Sequence, residues 1–402
     1  MNIIFLTLAR INSIGEKSIY TDLLRKFRIE GHNITVIAPN ERRFKKKTSL
    51  IKDNDCKILQ VWTPNIQKTN ILEKAIGIIT INYFFKMAYK KFLIKENFDL
   101  ILYSTPPITF TNLIKTIKDN TNARTYLLLK DIFPQNAVDL DFFSKNNLIY
   151  KYLRKKEIQL YKISDWIGCM SEANKSYILK NNLYLSRLKV EVNPNSIYLQ
   201  NYNMQNTNNT IDLPENKTIF VYGGNLGKPQ GLKFLLDVII NNINNSKAYF
   251  IIVGSGTESA RIKKWFGINK PDNAKFIPEL PQEDYRLLLK KCHVGLVFLN
   301  PNFTIPNYPS RILHYMENKL PILFAIDKIT DVGSEAELHN YGLWCENGDI
   351  ANFRKFIDFF INEDHKRISM GNNGFNRLKA DFSVDFSYKV IMKHFEKNIL
   401  MN

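Results

Sequence analysis

Short apolar runs rich in Ile, Val, Leu, Phe and Tyr alternate with stretches of helical spacing along the whole chain. NIIFLTL is followed by YTDLLRKFRIE and NITVIAP, and FDLILY by TFTNLIKTIK and RTYLLL. Such alternation predicts parallel strands joined by crossover helices. The strand-like runs are continuously apolar, which predicts sheets covered on both faces. WIGCM, SEANKSYILKNN and VEVN continue the rhythm, and it breaks in a polar, Asn-rich segment from about Asn195 to Lys217. It restarts with TIFVY, GLKFLLDVII, AYFIIVG and SARIKKWF, then DYRLLLKKC, VGLVFL, SRILHYM and PILFAI. Three helical stretches close the chain. The pattern predicts an α/β protein of two Rossmann-like, doubly wound domains, residues 1–195 and 218–382, with 196–217 as a linker. The segment 383–402 is expected to form a helix that packs back on the first domain.

A length of 402 residues, nearly half of them apolar, fits a globular chain of two or three domains. Cys56, Cys169, Cys292 and Cys345 lack Cys-x-x-Cys spacing, and the last three fall in or beside strand-like runs, so reduced core thiols are expected. MNIIFLTLAR has no basic segment before its short apolar run and reads as a first strand, which predicts a cytoplasmic protein.

The formal charge of +18 is uneven. Residues 1–200 carry 32 Lys and Arg against 17 Asp and Glu, net +15, whereas 201–402 carry 24 against 21, net +3. A composition rich in Lys and Asn throughout would load both halves alike, so the asymmetry points to an anionic partner for the first half. No zinc-finger spacing, RNP-type strand or basic zipper is present, which leaves an anionic membrane surface and no nucleic acid as the expectation. Ile71 to Lys95 has eleven uncharged residues between Lys74 and Lys86, too few to span a bilayer. As a surface helix it would set Phe84, Phe85, Tyr89 and Phe92 among Lys86, Lys90, Lys91 and Lys95, as in an interfacial anchor. The alternative is an ordinary packed helix with a solvated lysine edge.

Ligands of doubly wound sheets collect at the carboxyl ends of strands, which singles out LTLARINSIGEK, LYSTPPITF, LLLKDIFPQNAV, VYGGNLGKPQGL and NPNFTIPNYPSRILHYMENKLP. In VYGGNLGKPQGL a strand runs through paired glycines into a helix, a geometry that aims backbone N–H groups at an anion. Asn225 and Gln230 are neutral, so the counter-charge has to come from elsewhere. YPSRILHYM reads as a helix start with Pro309 in the first turn, and Ser310 and Arg311 beside its positive end. Arg311, a forked donor, would neutralise a diphosphate held between this helix and the Gly223 to Gly227 loop, across a crevice between the domains. Lys228 is the second candidate, and a solvated first-turn role is the alternative for Arg311.

These motifs, in this order, resemble family 4 glycosyltransferases of the GT-B fold, in which two Rossmann-like domains face one another across a cleft. The resemblance rests on Y-x-G-N-L-G-x-x-Q-G-L, IVGSGTE and PSR-ILHYMENKLPIL, and runs from MNIIFLTLAR to about Phe382. It is nearest the fucosamine-transferase-like enzymes that build bacterial capsule and O-antigen repeat units. It implies that Gly223, Gly224, Asn225, Lys228, Gln230, Gly254, Pro278, Ser310, Arg311 and His314 bind a nucleoside-diphosphate sugar. It further implies that Gly15, Ser104, Thr105, Lys130, Asp131 and Gln135 face a lipid-linked saccharide acceptor. Asp131, with Arg311, is the catalytic candidate, and helix capping near Pro134 is its alternative. Two departures stand out. The Arg and Lys that many relatives carry in the first phosphate loop are replaced by Asn225 and Gln230. The E-x7-E signature is absent, with Pro306 and His314 in its places.

The implied reaction is retaining, metal-independent transfer of a sugar to a polyprenyl-diphosphate-linked saccharide, with no cofactor, by an enzyme peripheral to the inner face of the plasma membrane. Asp139-Leu140-Asp141 imitates a metal-binding D-x-D but lies in the loop after the strand that carries Asp131, and it is not expected to hold a metal. Two rivals share the architecture: a nucleotide-sugar 2-epimerase and a non-catalytic scaffold. A nicotinamide oxidoreductase is disfavoured, because LARINSIGEK lacks G-x-G-x-x-G.

Overall fold

Burial on both faces is what makes the apolar runs parallel strands. In the computed structural model, which describes residues 1–66, 69, 71–199 and 211–396, most strand residues are fully buried. For 71, 72 and 74–76 only the backbone is described. The chain divides into two units, Met1–Tyr198 with Ser383–Asn402, and Leu199–Phe382. Half of the expected linker, residues 200–210, lies outside the described residues, as do 397–402.

Unit 1 holds β1 (Asn2–Leu6), β2 (Asn33–Glu41), β3 (Ser49–Asp53), β4 (Cys56–Thr63), β5 (Leu100–Ser104), β6 (Arg124–Leu129), β7 (Trp166–Cys169) and β8 (Val190–Val192). The order is β3-β4-β2-β1-β5-β6-β7-β8, parallel except for β3, which turns back on β4. The connections β4 to β5, β5 to β6, β6 to β7 and β7 to β8 all advance across the sheet in one direction. Right-handed crossovers therefore place helices Ile71–Phe92, Thr111–Thr121, Leu148–Ile163 and Glu172–Asn181 on one face. The first three pack side by side. Helix Ile19–Ile29, whose connection from β1 to β2 runs the other way, covers the opposite face. There it meets the closing helix Val384–Glu396. Lys26 pairs with Asp385, and His394 stacks on Trp166 at 4.3 Å and reaches Glu191 at 3.0 Å.

Helix Ile71–Phe92 corrects one expectation. Phe85 and Tyr89 are buried, Phe85 stacking on Phe110, and Phe84 packs edge-on against Trp62. The aromatic set expected at an interface is largely core. The helix is apolar on every side, so sequence alone does not say which stripe faces the sheet.

Unit 2 holds β9 (Thr218–Gly223), β10 (Ala248–Val253), β11 (Ala274–Ile277), β12 (Val294–Phe298), β13 (Ile322–Ile326) and β14 (Gly342–Glu346). The order β11-β10-β9-β12-β13-β14 is parallel throughout. Helices Ile350–Asn362 and Asp364–Asp381 follow. The four cysteines are free and buried, with their thiols pushed above the ordinary range by burial.

Candidate functional site

In unit 2 the neighbours β9 and β12 send their connections in opposite directions, which opens a crevice at their carboxyl ends. The Gly223–Gly231 loop leaves β9 there, Gly254-Ser255-Gly256 leaves β10, and helix Arg311–Glu317 follows the connection after β12. Arg311 lies against the glycine loop within this one unit, and not across a crevice between domains. Its Cζ is 4.4 Å from the centre of the Tyr222 ring, and 3.5 Å from where a Cβ on Gly224 would stand. Gly224 has φ +123°, so the loop reaches this close approach with a backbone that side chains rarely adopt.

The guanidinium has no acidic partner among the described residues, and its Nη1 is buried without a hydrogen bond. Three phenols surround it: Tyr222, Tyr315 and Tyr285. Burial pushes all three above the ordinary tyrosine range, Tyr315 to about 12, so at neutral pH none carries a charge to offset the cation. Tyr315 also fixes the crevice floor. Its hydroxyl accepts from the Gly223 amide at 3.0 Å and faces the carbonyls of Val221 and Leu296 at 3.2 Å, tying β9 to β12.

The expected amide cradle is spent on the protein itself. The Gly223 amide is held by Tyr315, Gly224 donates to the Val253 carbonyl at 2.9 Å, Leu226 to Ser255 at 2.9 Å, and Gly227 to Gln230 Oε1 at 3.1 Å. Gln230 Oε1 also accepts from Asn225 Nδ2 at 3.2 Å. Asn225 and Gln230 therefore brace the loop, which leans on the Gly254 turn. A Cβ on Gly254 would run into the Gly224 carbonyl. Electropositivity comes from the side chain of Arg311, with Lys228 exposed in the same loop. Ser310 is exposed and makes no side-chain cap, and seven residues make too short a helix for a dipole site. His314 is half-buried with Nδ1 3.8 Å from Glu317, which reaches Arg286 at 3.5 Å. Pro278 is exposed beyond β11.

Unit 1 has its own switch between β1 and β5. Arg10 to Gly15 follows β1, and Ser104 to Pro107 follows β5. Asp53 ties the first segment by accepting from Ser13 Oγ at 2.8 Å and the Ile14 amide at 2.6 Å, and Gly15 donates to Ser13 Oγ at 3.0 Å. Thr105 links the second segment to the end of β6: its hydroxyl accepts from the amides of Lys130 at 3.0 Å and Asp131 at 3.3 Å. The Asp131 carboxylate makes no hydrogen bond or ion pair among the described residues. The helix Gln135–Asp139 starts after Pro134 with no side-chain cap, which removes the capping role considered for Asp131. Although Asp131 is exposed, desolvation by the protein around it raises its carboxyl to about 6. Desolvation lowers half-buried Lys130 to about 7. Tyr20 stands near, raised to about 12 mainly by burial, with Ser104 pulling it down and the Asp131 charge adding to the rise. Gln135 is not presented to an acceptor: it is buried and donates to Asp139 at 2.7 Å. The same bond engages the first aspartate of Asp139-Leu140-Asp141. Among the described residues no group of three or more His, Cys, Asp and Glu could hold a metal ion.

Sequence reasoning reached Arg311 and Asp131 but missed the partners that set their chemistry. Tyr315 stands four residues after Arg311 on the same helix, a spacing that signals a shared face. Tyr285 and Tyr20 come from other elements and leave no local signal.

Residues 203–377 match the family model described as "Glycosyl transferases group 1". The chain is 22% identical over 305 residues to "Probable glycosyltransferase WbjE" of Pseudomonas aeruginosa, covering 73% of this chain and 74% of that protein. It is 27% identical over 129 residues to "Putative colanic acid biosynthesis glycosyl transferase WcaI" of Escherichia coli K12, 32% of this chain and 31% of that protein. Among solved structures it is similar to sucrose-phosphate synthase of Thermosynechococcus elongatus, with a TM-score of 0.77 at 14% identity over the whole of both chains. Anabaena HepE in complex with UDP-glucose aligns with a TM-score of 0.65 at 14% identity, covering 99% of this chain and 100% of that one. The fold is GT-B.

Proposed function

From the premise that the chain is a glycosyltransferase with a group 1 domain over residues 203–377, we propose a reaction in polysaccharide biosynthesis. A sugar passes from a nucleoside diphosphate, bound by unit 2, to a hydroxyl of a polyprenyl-diphosphate-linked saccharide, bound by unit 1. Likeness to a colanic acid enzyme supports the polysaccharide setting, and a solved neighbour holding UDP-glucose supports the donor class. The proposed product is a capsule or O-antigen repeat unit extended by a hexose or an N-acetylamino sugar.

One observation carries the reading: a guanidinium without an acidic partner, Arg311, lies over the Gly224 backbone at the switch point of unit 2. A partly buried cation without a counter-ion is costly unless an anion joins it. A donor diphosphate supplies that anion, and two N–H groups of one fork suit its oxygens. During transfer the bond from the anomeric carbon to the phosphate oxygen breaks, the bond to the acceptor oxygen forms, and negative charge grows on the departing diphosphate. Arg311 is preorganised to meet that charge, with Lys228 as a second cation. In a retaining course the leaving phosphate takes the acceptor's proton. Asp131, ionised above about pH 6, then orients the acceptor hydroxyl. We propose that no metal takes part, the side-chain cations serving in its place, and that the enzyme works at the inner face of the plasma membrane where its acceptor resides.

The test is incubation with a panel of nucleotide sugars, with and without a polyprenyl-diphosphate-linked saccharide, in the presence of a chelator, followed by mass spectrometry of donor and lipid. Extension of the lipid-linked saccharide by one sugar is expected, and only when both substrates are present. Conversion of the donor in the absence of acceptor would instead identify an epimerase. Tight donor binding with no turnover against any acceptor would identify a scaffold.

A further inference from the structure

Helix Ile71–Phe92 keeps its large aromatics inside and leaves a different apolar stripe outside. Ile79, Tyr83 and Met87, four residues apart, lie on one face, and each is more than half exposed. Ile94 extends the exposed apolar surface just past the helix end. Lys86, Lys90, Lys91 and Lys95 flank this stripe, and none makes an ion pair among the described residues.

A second patch of the same composition lies on the same side of the sheet. Helix Leu148–Ile163 exposes Leu148 at 79%, with Ile149 and Tyr152 also exposed. Lys151, Lys155 and Lys156 stand among them without ion pairs, Lys156 resting its ammonium 5.4 Å over the Tyr152 ring. Helix Thr111–Thr121, packed between the two, turns Asn112 and Lys115 outward. Asp119 is the one exposed carboxylate on the three helices among the described residues.

We propose that this helix layer of unit 1 is a docking surface for an anionic lipid bilayer. Exposed apolar side chains would enter the boundary between headgroups and acyl chains while unpaired lysines meet lipid phosphates. The occupant is argued from charge. Two apolar patches interleaved with at least seven unpaired lysines repel a second copy of this basic chain and attract a negative surface, and the net +15 of residues 1–200 acts in the same sense. Among the described residues no helix is long and apolar enough to cross a membrane, so the contact is interfacial. The inference deepens the proposal of a lipid-linked acceptor by naming the surface that meets the membrane.

The experiment is co-sedimentation of the full chain with vesicles of phosphatidylcholine alone and of phosphatidylcholine mixed with phosphatidylglycerol. Binding to the mixed vesicles is expected, weakening with salt. It should fall at least about tenfold in Tyr83→Asp/Met87→Asp and in Lys90→Glu/Lys91→Glu. Ile29→Asp, on the opposite face of the sheet, should bind as the parent does. Thermal melting and donor binding of every variant should match the parent, since these side chains are exposed and remote from Arg311 in sequence and unit. Undiminished vesicle binding by both double variants would overturn the proposal. So would a dimer that the variants convert to monomer with vesicle binding unchanged, which would assign the face to a second copy. Transfer to the lipid-linked saccharide in detergent micelles separates the two ideas. Transfer there with no vesicle binding sinks the docking surface alone, and vesicle binding with no transfer sinks the acceptor alone.

Discussion

Arg311 lays its guanidinium on the face of Tyr222, 4.4 Å from the ring centre, although no carboxylate among the described residues pairs with it. Stacking of a cation on an aromatic face is worth about 0.5–2 kcal/mol. That fixes the position of the guanidinium without neutralising its charge, and Nη1 is left without a hydrogen bond. A salt bridge would have held the side chain equally well and would have neutralised it. The arrangement keeps a preorganised cation at the switch point of unit 2, in the state an incoming diphosphate requires.

The hydroxyl of Tyr315 holds the first glycine of the loop and the middle of β12 together. Tyr315→Phe leaves the buried Gly223 amide without its acceptor, at a cost of about 1–3 kcal/mol. Lower thermal stability and a raised KM for the nucleotide sugar are expected together, because the loop under Arg311 loosens. A variant with parental stability and KM would show that the hydroxyl does not brace the site.

Gly254 is where the β10 turn meets the Gly224 carbonyl. Gly254→Ala forces the two loops apart and should cost about 1–3 kcal/mol or more, with donor binding reduced, as calorimetry and melting would read. Gly267 on helix Ser259–Asn269 has open space where a methyl would stand and serves as the control, with alanine expected to be neutral or stabilising there.

Asp131 gives a pH signature. Its carboxyl is raised to about 6 in the folded chain against about 3.9 when unfolded. A raised acid costs the folded state stability as pH climbs from the lower value to the higher, with nothing lost below both. Asp131→Asn should therefore melt higher than the parent at pH 8, and the gap should close toward pH 4. Transfer by the parent should fall about tenfold per unit below pH 6 as the carboxylate takes up its proton, and Asp131→Asn should be slow with that limb missing. A parental pH profile in the variant would remove Asp131 from the reaction.

The strands were legible because burial on both faces writes itself as unbroken apolar runs such as TIFVY and VGLVFL. The inward stripe of Ile71–Phe92 was not, since a helix apolar all round offers Phe85 and Tyr83 as equal candidates for the core. At the site, the oddity of a glycine loop without a cation led to Arg311, because charge must be balanced wherever it lies. The loop's amides misled. Whether an N–H faces a ligand or a neighbouring carbonyl is decided by tertiary contacts, here with Val253 and Ser255, that glycine spacing does not encode.

The measurement closest to the central claim is calorimetric affinity for whichever nucleoside diphosphate the parent binds, in Arg311→Ala and Arg311→Lys, with turnover and melting temperature alongside. Charge-assisted hydrogen bonds of about 1.5–3 kcal/mol predict roughly ten- to hundredfold weaker binding in the alanine variant. Turnover should drop about 100- to 1000-fold, with partial recovery in the lysine variant and at most the small fall in melting temperature that losing the stacking on Tyr222 brings. Parental affinity and turnover in Arg311→Ala would contradict the assignment of the diphosphate to this guanidinium.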